Sequence, residues 1–156
     1  VGVLVANGAY FRPGHRVRIE DCIIRNAFAV GVYGEGAGYT GSGAPAEGVR
    51  IVNTVITRCG ERAVLGVGGG NWRLSHCTIE MGPGGPAFAR RETEAVAFDN
   101  KLERLDGTSR SSGTYLRIEN SIVWSGVRDD DNRLLNELLL LPKASPDSVY
   151  IFRHNI

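Results

Sequence analysis

No stretch of this chain comes near the roughly 18 apolar residues that a membrane-spanning helix needs, so no membrane span is expected. Cysteine is scarce, at 3 of 156 residues, and an odd number cannot close a disulfide framework. A formal net charge of +1 gives no overall attraction for nucleic acid, and no such partner is expected. The signatures of common enzyme chemistries are missing as well: no Walker loop, no Gly-x-Ser-x-Gly and no His-Glu-x-x-His. His15, His76 and His154 lie too far apart in the chain for a zinc-site spacing. What remains is a chain with 42% hydrophobic residues and 21 glycines, which fits one loop-rich β domain over residues 1–156.

What the chain does have is a phrase repeated five times. It begins at Val17, Val49, Trp72, Leu116 and Val149, at intervals of 32, 23, 44 and 33 residues. The first copy reads Val17-Arg18-Ile19-Glu20-Asp21-Cys22-Ile23-Ile24. Positions one and three are apolar or aromatic and position two is Arg in four of the five copies, the period-two alternation of a strand with one buried face. Position five is polar and apolar residues resume at once, so two very short strands meet at a bend. A repeat of this length cannot bury its apolar face alone and must stack on its neighbours. The intervals absorb insertions at 34–47, 90–114 and 124–133, where loops tolerate them. Third strands are expected at Val3–Val5, Val30–Val32, Leu65–Val67, Ala87–Ala89 and Leu138–Leu141. The last of these competes with a helix over Leu134–Leu141 that Asp131 or Asn132 would cap and Pro142 would end. The strand is preferred for its second half, because each coil needs a third wall.

The phrase Φ-x-Φ-x-Asn/Asp-x-Φ-Φ resembles that of the pectate-lyase-like superfamily of right-handed parallel β-helices, and the resemblance covers nearly the whole chain. It implies an all-β solenoid of about five coils with long loop insertions. It also implies an internal ladder of stacked polar side chains at position five, where Asp21, Asn53, His76 and Asn120 stand, broken where His76 and Arg153 depart from the pattern. In such a stack Cys22 and Cys77 share position six two coils apart, roughly 9 to 10 Å between Cα atoms, and stay reduced.

Stacking also aligns Arg18, Arg50, Arg73 and Arg117 on the outer side of one sheet, with Glu20 and Glu119 facing the same way to offset their repulsion. Such a stripe suits the bidentate Arg–carboxylate bonds that would hold an acidic polysaccharide. Gly31, Gly66 and Ala89 are expected to form a smooth outward strip, with Tyr33 and Tyr39 beside it to stack on sugar rings. Uronate lyases of the resembled superfamily pair a basic residue with a cation, which makes Lys101, Glu103 and Arg104 the catalytic candidates. Asp129, Asp130 and Asp131 are the metal candidates, with calcium the cation that suits their oxygen ligands.

Two functions follow. One is a secreted or cell-surface β-helix that acts on or binds an acidic glycan, as a polysaccharide lyase, a glycoside hydrolase or a non-catalytic relative. The other is a non-catalytic adhesin, spike segment or filament-forming β-helix. Strand phrases at both ends of the sequence motivate the second, since they predict a longer parent chain or end-to-end or side-by-side self-association.

Overall fold

The computed structural model describes residues 3–6, 17–27, 29–37, 48–59, 62–81, 94–99, 101–103, 109–111, 113–125, 139–141 and 148–156. The protein is all-β with parallel sheets, and none of the described residues is helical. Among them no helix is long and apolar enough to cross a membrane.

Three parallel ladders organise the described strands. The first joins the repeat phrases: Val17–Glu20 pairs with Val49–Val52, then comes the second half of Arg62–Ser75, then Thr114–Glu119, then Val149–Arg153. The second joins Ile23–Arg25, Val55–Thr57, Thr78–Met81 and Ile122–Ser125. The third joins Val3–Ala6, Val30–Ala37, the first half of Arg62–Ser75, Val96–Asp99 and Leu139–Leu140. The 14-residue strand Arg62–Ser75 therefore serves two ladders. It turns between them at Gly68, Gly69 and Gly70, whose φ values of 79°, 73° and 135° carry a penalty for any residue with a Cβ.

Like residues sit over like. Ile19, Ile51, Leu74 and Ile118 are successive Cα partners, exposed by only 8%, 0%, 0% and 1%. Val17, Val49, Trp72, Leu116 and Tyr150 form the adjoining column. Ile24, Ile56, Ile79 and Val123 face them from the second ladder, and Val32, Val64 and Val96 from the third. Burial of each large aliphatic side chain contributes about 1.5–3 kcal/mol, and β-branched residues suit the pleated surface.

The expected strands at Val3–Val5, Val30–Val32, Leu65–Val67 and the second half of Leu134–Leu141 are present, the last as Leu139–Leu140. Three details differ. The third ladder takes Val96–Asp99 after Arg62–Ser75, whereas Ala87–Ala89 lies outside the described residues. The fifth copy is displaced by one residue, because Leu116 pairs with Tyr150 and not with Val149. Its fifth position is therefore His154, not Arg153.

The third difference concerns the polar ladder. Asp21, Asn53, His76, Asn120 and His154 all adopt positive φ, between 46° and 54°, and all are exposed. They are corner residues, chosen because short polar side chains tolerate the left-handed region. Asn53 Nδ2 donates to Asp21 Oδ1 at 2.6 Å, and Asn120 Nδ2 lies 3.5 Å from His76 Nε2, so the stacking is real but external.

The internal ladder runs through position six: Cys22, Thr54, Cys77, Ser121 and Asn155. The Cys22 N–H donates to Thr54 Oγ1 at 3.4 Å, that of Cys77 to Ser121 Oγ at 3.1 Å and that of Ser121 to Asn155 Oδ1 at 3.0 Å. Each Ser or Thr hydroxyl and Cys thiol of the column donates to the carbonyl two residues earlier: Cys22 to Glu20, Thr54 to Val52, Cys77 to Ser75 and Ser121 to Glu119. Cysteine thus stands in for serine as a small, apolar donor. All three cysteines are free thiols, as expected for the pair Cys22 and Cys77.

Candidate functional site

The outer face of the first ladder follows from its alternation. If Ile19, Ile51, Leu74 and Ile118 point inward, residues one position away point outward. Arg18, Arg50, Arg73 and Arg117 are successive Cα partners there, and Ile151 continues the column. Two residues earlier on the same face stand Asn71 and Tyr115, also partners. Two residues later stand Glu20, Val52, Ser75 and Glu119.

Arginines stacked about 5 Å apart would repel by roughly 1 kcal/mol per adjacent pair in water-like surroundings. Carboxylates offset this at both ends of the column. Arg18 Nη2 meets Glu20 Oε1 at 2.5 Å in an exposed pair, and the Glu20 hydrogen bond raises the Arg18 pKa. Glu119 does more. Its Oε1 accepts from Arg73 Nε at 3.0 Å and Nη2 at 2.5 Å, while its Oε2 accepts from Arg117 Nε at 2.7 Å and meets Arg117 Nη2 at 2.5 Å. One carboxylate thus seats one oxygen in each of two guanidinium forks. Burial alone would raise the Glu119 pKa, but the hydrogen bonds from Arg73 and Arg117, reinforced by their charges, hold it below the ordinary carboxylate range. The Glu119 side chain is only 10% exposed, whereas those of Arg73 and Arg117 are 41% and 29% exposed, so a buried carboxylate holds two guanidiniums that reach solvent.

Beside it opens a pocket of about 150 Å³, lined by Gly48, Val49, Arg50, Asn71, Arg73, Tyr115 and Arg117. Arg50, Arg73 and Arg117 bring three guanidiniums to its wall, and among the described residues Glu119 is the acid that pairs with two of them. Asn71 adds an amide, and Tyr115 a ring and a hydroxyl. A wall of guanidiniums can receive an anion, and Glu119 is already held by two of them.

Of the residues expected to bind substrate, Arg50, Arg73 and Arg117 line this pocket and Arg18 extends their column. Tyr33 belongs to the third ladder, paired with Leu4 and Leu65. Tyr39, Arg104, Asp129, Asp130 and Asp131 lie outside the described residues. Lys101–Glu103 forms a short antiparallel pair with Ser109–Ser111 beside the strand Arg62–Ser75. Among the described residues no three of His, Cys, Asp and Glu gather as a metal site requires. His76 and His154 occupy exposed corners.

The smooth glycine strip does not exist as an outward surface. A Cβ on Gly31 would lie 2.6 Å from the Ala63 carbonyl oxygen, 2.7 Å from Ile56 and 2.8 Å from Cys59. A Cβ on Gly66 would meet the Phe98 ring at 2.5 Å. Phe98 fills the space beside Gly66 and packs edge-on against Trp72, with centroids 5.2 Å apart and planes at 74°. These glycines make room inside the protein.

Asn71 and Tyr115 escaped the sequence reading, although the signal was present. Both precede an aligned arginine by two residues, so period-two alternation alone places them on its face. Comparison with protein-family models, with curated proteins and with solved structures gave no match.

Proposed function

We propose that this protein is a right-handed parallel β-helix of about five coils that binds an acidic glycan along its arginine column. A right-handed course is the usual one for crossovers between parallel strands. The three aligned ladders and the left-handed corners between short strands support the solenoid reading. The observation that carries the binding reading is the pocket where Arg50, Arg73 and Arg117 meet Tyr115 and Asn71. Guanidinium donors match a carboxylate, the tyrosine offers a ring for a sugar face, and the amide can bond a hydroxyl. Coils about 4.8 Å apart present an arginine at four successive steps, which suits a polymer bearing a negative charge on each unit better than an isolated anion.

The reading commits to binding rather than turnover, and it goes with a secreted or cell-surface setting where acidic polysaccharides are met. Isothermal titration with oligogalacturonate, against a neutral oligoglucan, tests it. Arg117→Ala is expected to weaken oligogalacturonate binding about tenfold or more, at roughly 1.5–3 kcal/mol per charge-assisted bond. Affinity should also fall as salt rises. Equal affinity for both sugars, or none for the acidic one, would remove the proposal.

A further inference from the structure

We infer that Glu119 is the positioning residue of this pocket: by holding one fork of Arg73 and one of Arg117, it sets both guanidiniums in the orientation that receives the ligand's anionic group. Each guanidinium has five N–H donors. Glu119 engages the Nε and Nη2 of each arginine, two of the three nitrogens of each guanidinium, and both side chains also line the pocket. The register shows why this acid matters. The residues matching Glu119 in the two preceding coils are Ser75 and Val52, so the support comes from a single coil and serves two arginines. The geometry has the form of a preorganised site, in which a supporting carboxylate fixes the groups that touch the ligand.

The inference takes its ligand from the glycan-binding reading, but its test separates the two. A repulsive acid beside an anion site and a positioning acid predict opposite signs. Glu119→Gln removes a negative charge next to the pocket, so electrostatics alone would tighten a galacturonate trimer. Positioning predicts about tenfold weaker binding in the same titration, with Glu119→Asp intermediate because a shorter side chain keeps the charge but reaches only one fork. A second measurement needs no ligand. The Nε–H signals of Arg73 and Arg117 should be resolved and slow to exchange in the NMR spectrum of the native protein, and lost in Glu119→Gln. Protected signals without trimer binding would overturn the glycan reading and leave the positioning role standing. Unchanged Nε–H signals in Glu119→Gln, or tighter trimer binding, would overturn the positioning role itself. Should Glu119→Gln not fold, the Asp variant decides by the same two readouts.

Discussion

Ser121 accepts the Cys77 N–H and donates to the Glu119 carbonyl from inside the core. Replacing it by alanine leaves a buried N–H without its acceptor, which costs about 1–3 kcal/mol. Urea unfolding of Ser121→Ala should show that loss. Cys77→Ser should cost less, because a hydroxyl can take the same Ser75 carbonyl; equal losses in the two variants would contradict the ladder. Glu119 makes a separate prediction. Its folded-state pKa is lowered, so its contribution is complete above the ordinary carboxylate value of about 4.3 and is lost as the pH falls below that. The stability gap between native protein and Glu119→Gln should hold steady from pH 7 to about 5.5 and shrink below about 4.3. A gap unchanged at pH 3 would refute the assignment. The residue scale is also where the sequence was hardest to read. Positions five and six are both small or polar, and only the backbone reveals that five is the left-handed corner and six the interior. Two cysteines at position six look apolar in a sequence, yet their thiols donate as Thr54 and Ser121 do.

Among the elements, the third ladder packs on the first through Phe98, Gly66 and Trp72. Gly66→Ala drives a methyl group to within 2.5 Å of the Phe98 ring, and such overpacking costs about 1–3 kcal/mol. Phe98→Leu alone removes ring contacts and opens space. The double variant should be more stable than the sum of the single losses predicts, by about 0.5 kcal/mol or more, because the smaller side chain relieves the new methyl. Strict additivity in a thermal or urea cycle would show that Gly66 and Phe98 do not share one space. This pair also explains why the third ladder was legible only in part. Ala87-Phe88 and Ala97-Phe98 have the same local pattern ten residues apart, and insertions of variable length erase the spacing that would choose between them. The choice rests on the cavity beside Gly66, a property of another strand. Val30–Val32 and Leu65–Val67, by contrast, follow their phrases closely and were read directly.

At the scale of the whole molecule, the repeat phrase revealed the register because a slip of one residue would turn every buried aliphatic outward. That penalty aligns Ile19, Ile51, Leu74 and Ile118 without any help from the loops. The fifth copy slipped in the sequence reading because Val149 and Tyr150 can each begin it; packing of Tyr150 under Leu116 decides. The same columns predict how stability is distributed. In a stack, a strand with a partner on both sides loses two interfaces on opening, and a strand at the margin loses one. Leu74 and Ile118 are 0% and 1% exposed, whereas Phe152, next in their column, is 43% exposed. Native-state hydrogen exchange should therefore find the amides of Arg73–Ser75 and Arg117–Glu119 among the slowest, opening at free energies close to global unfolding. Those of Tyr150–Phe152, whose strand has one partner among the described residues, should exchange at least tenfold faster through local opening. Ile156→Ala should leave this order intact, since that side chain is 87% exposed. Ile118→Ala should cost about 2–5 kcal/mol and accelerate exchange in its neighbours on both sides. Uniform protection across the first ladder would mean that its strands open only together, and the nearest-neighbour description of this ladder would have to be given up.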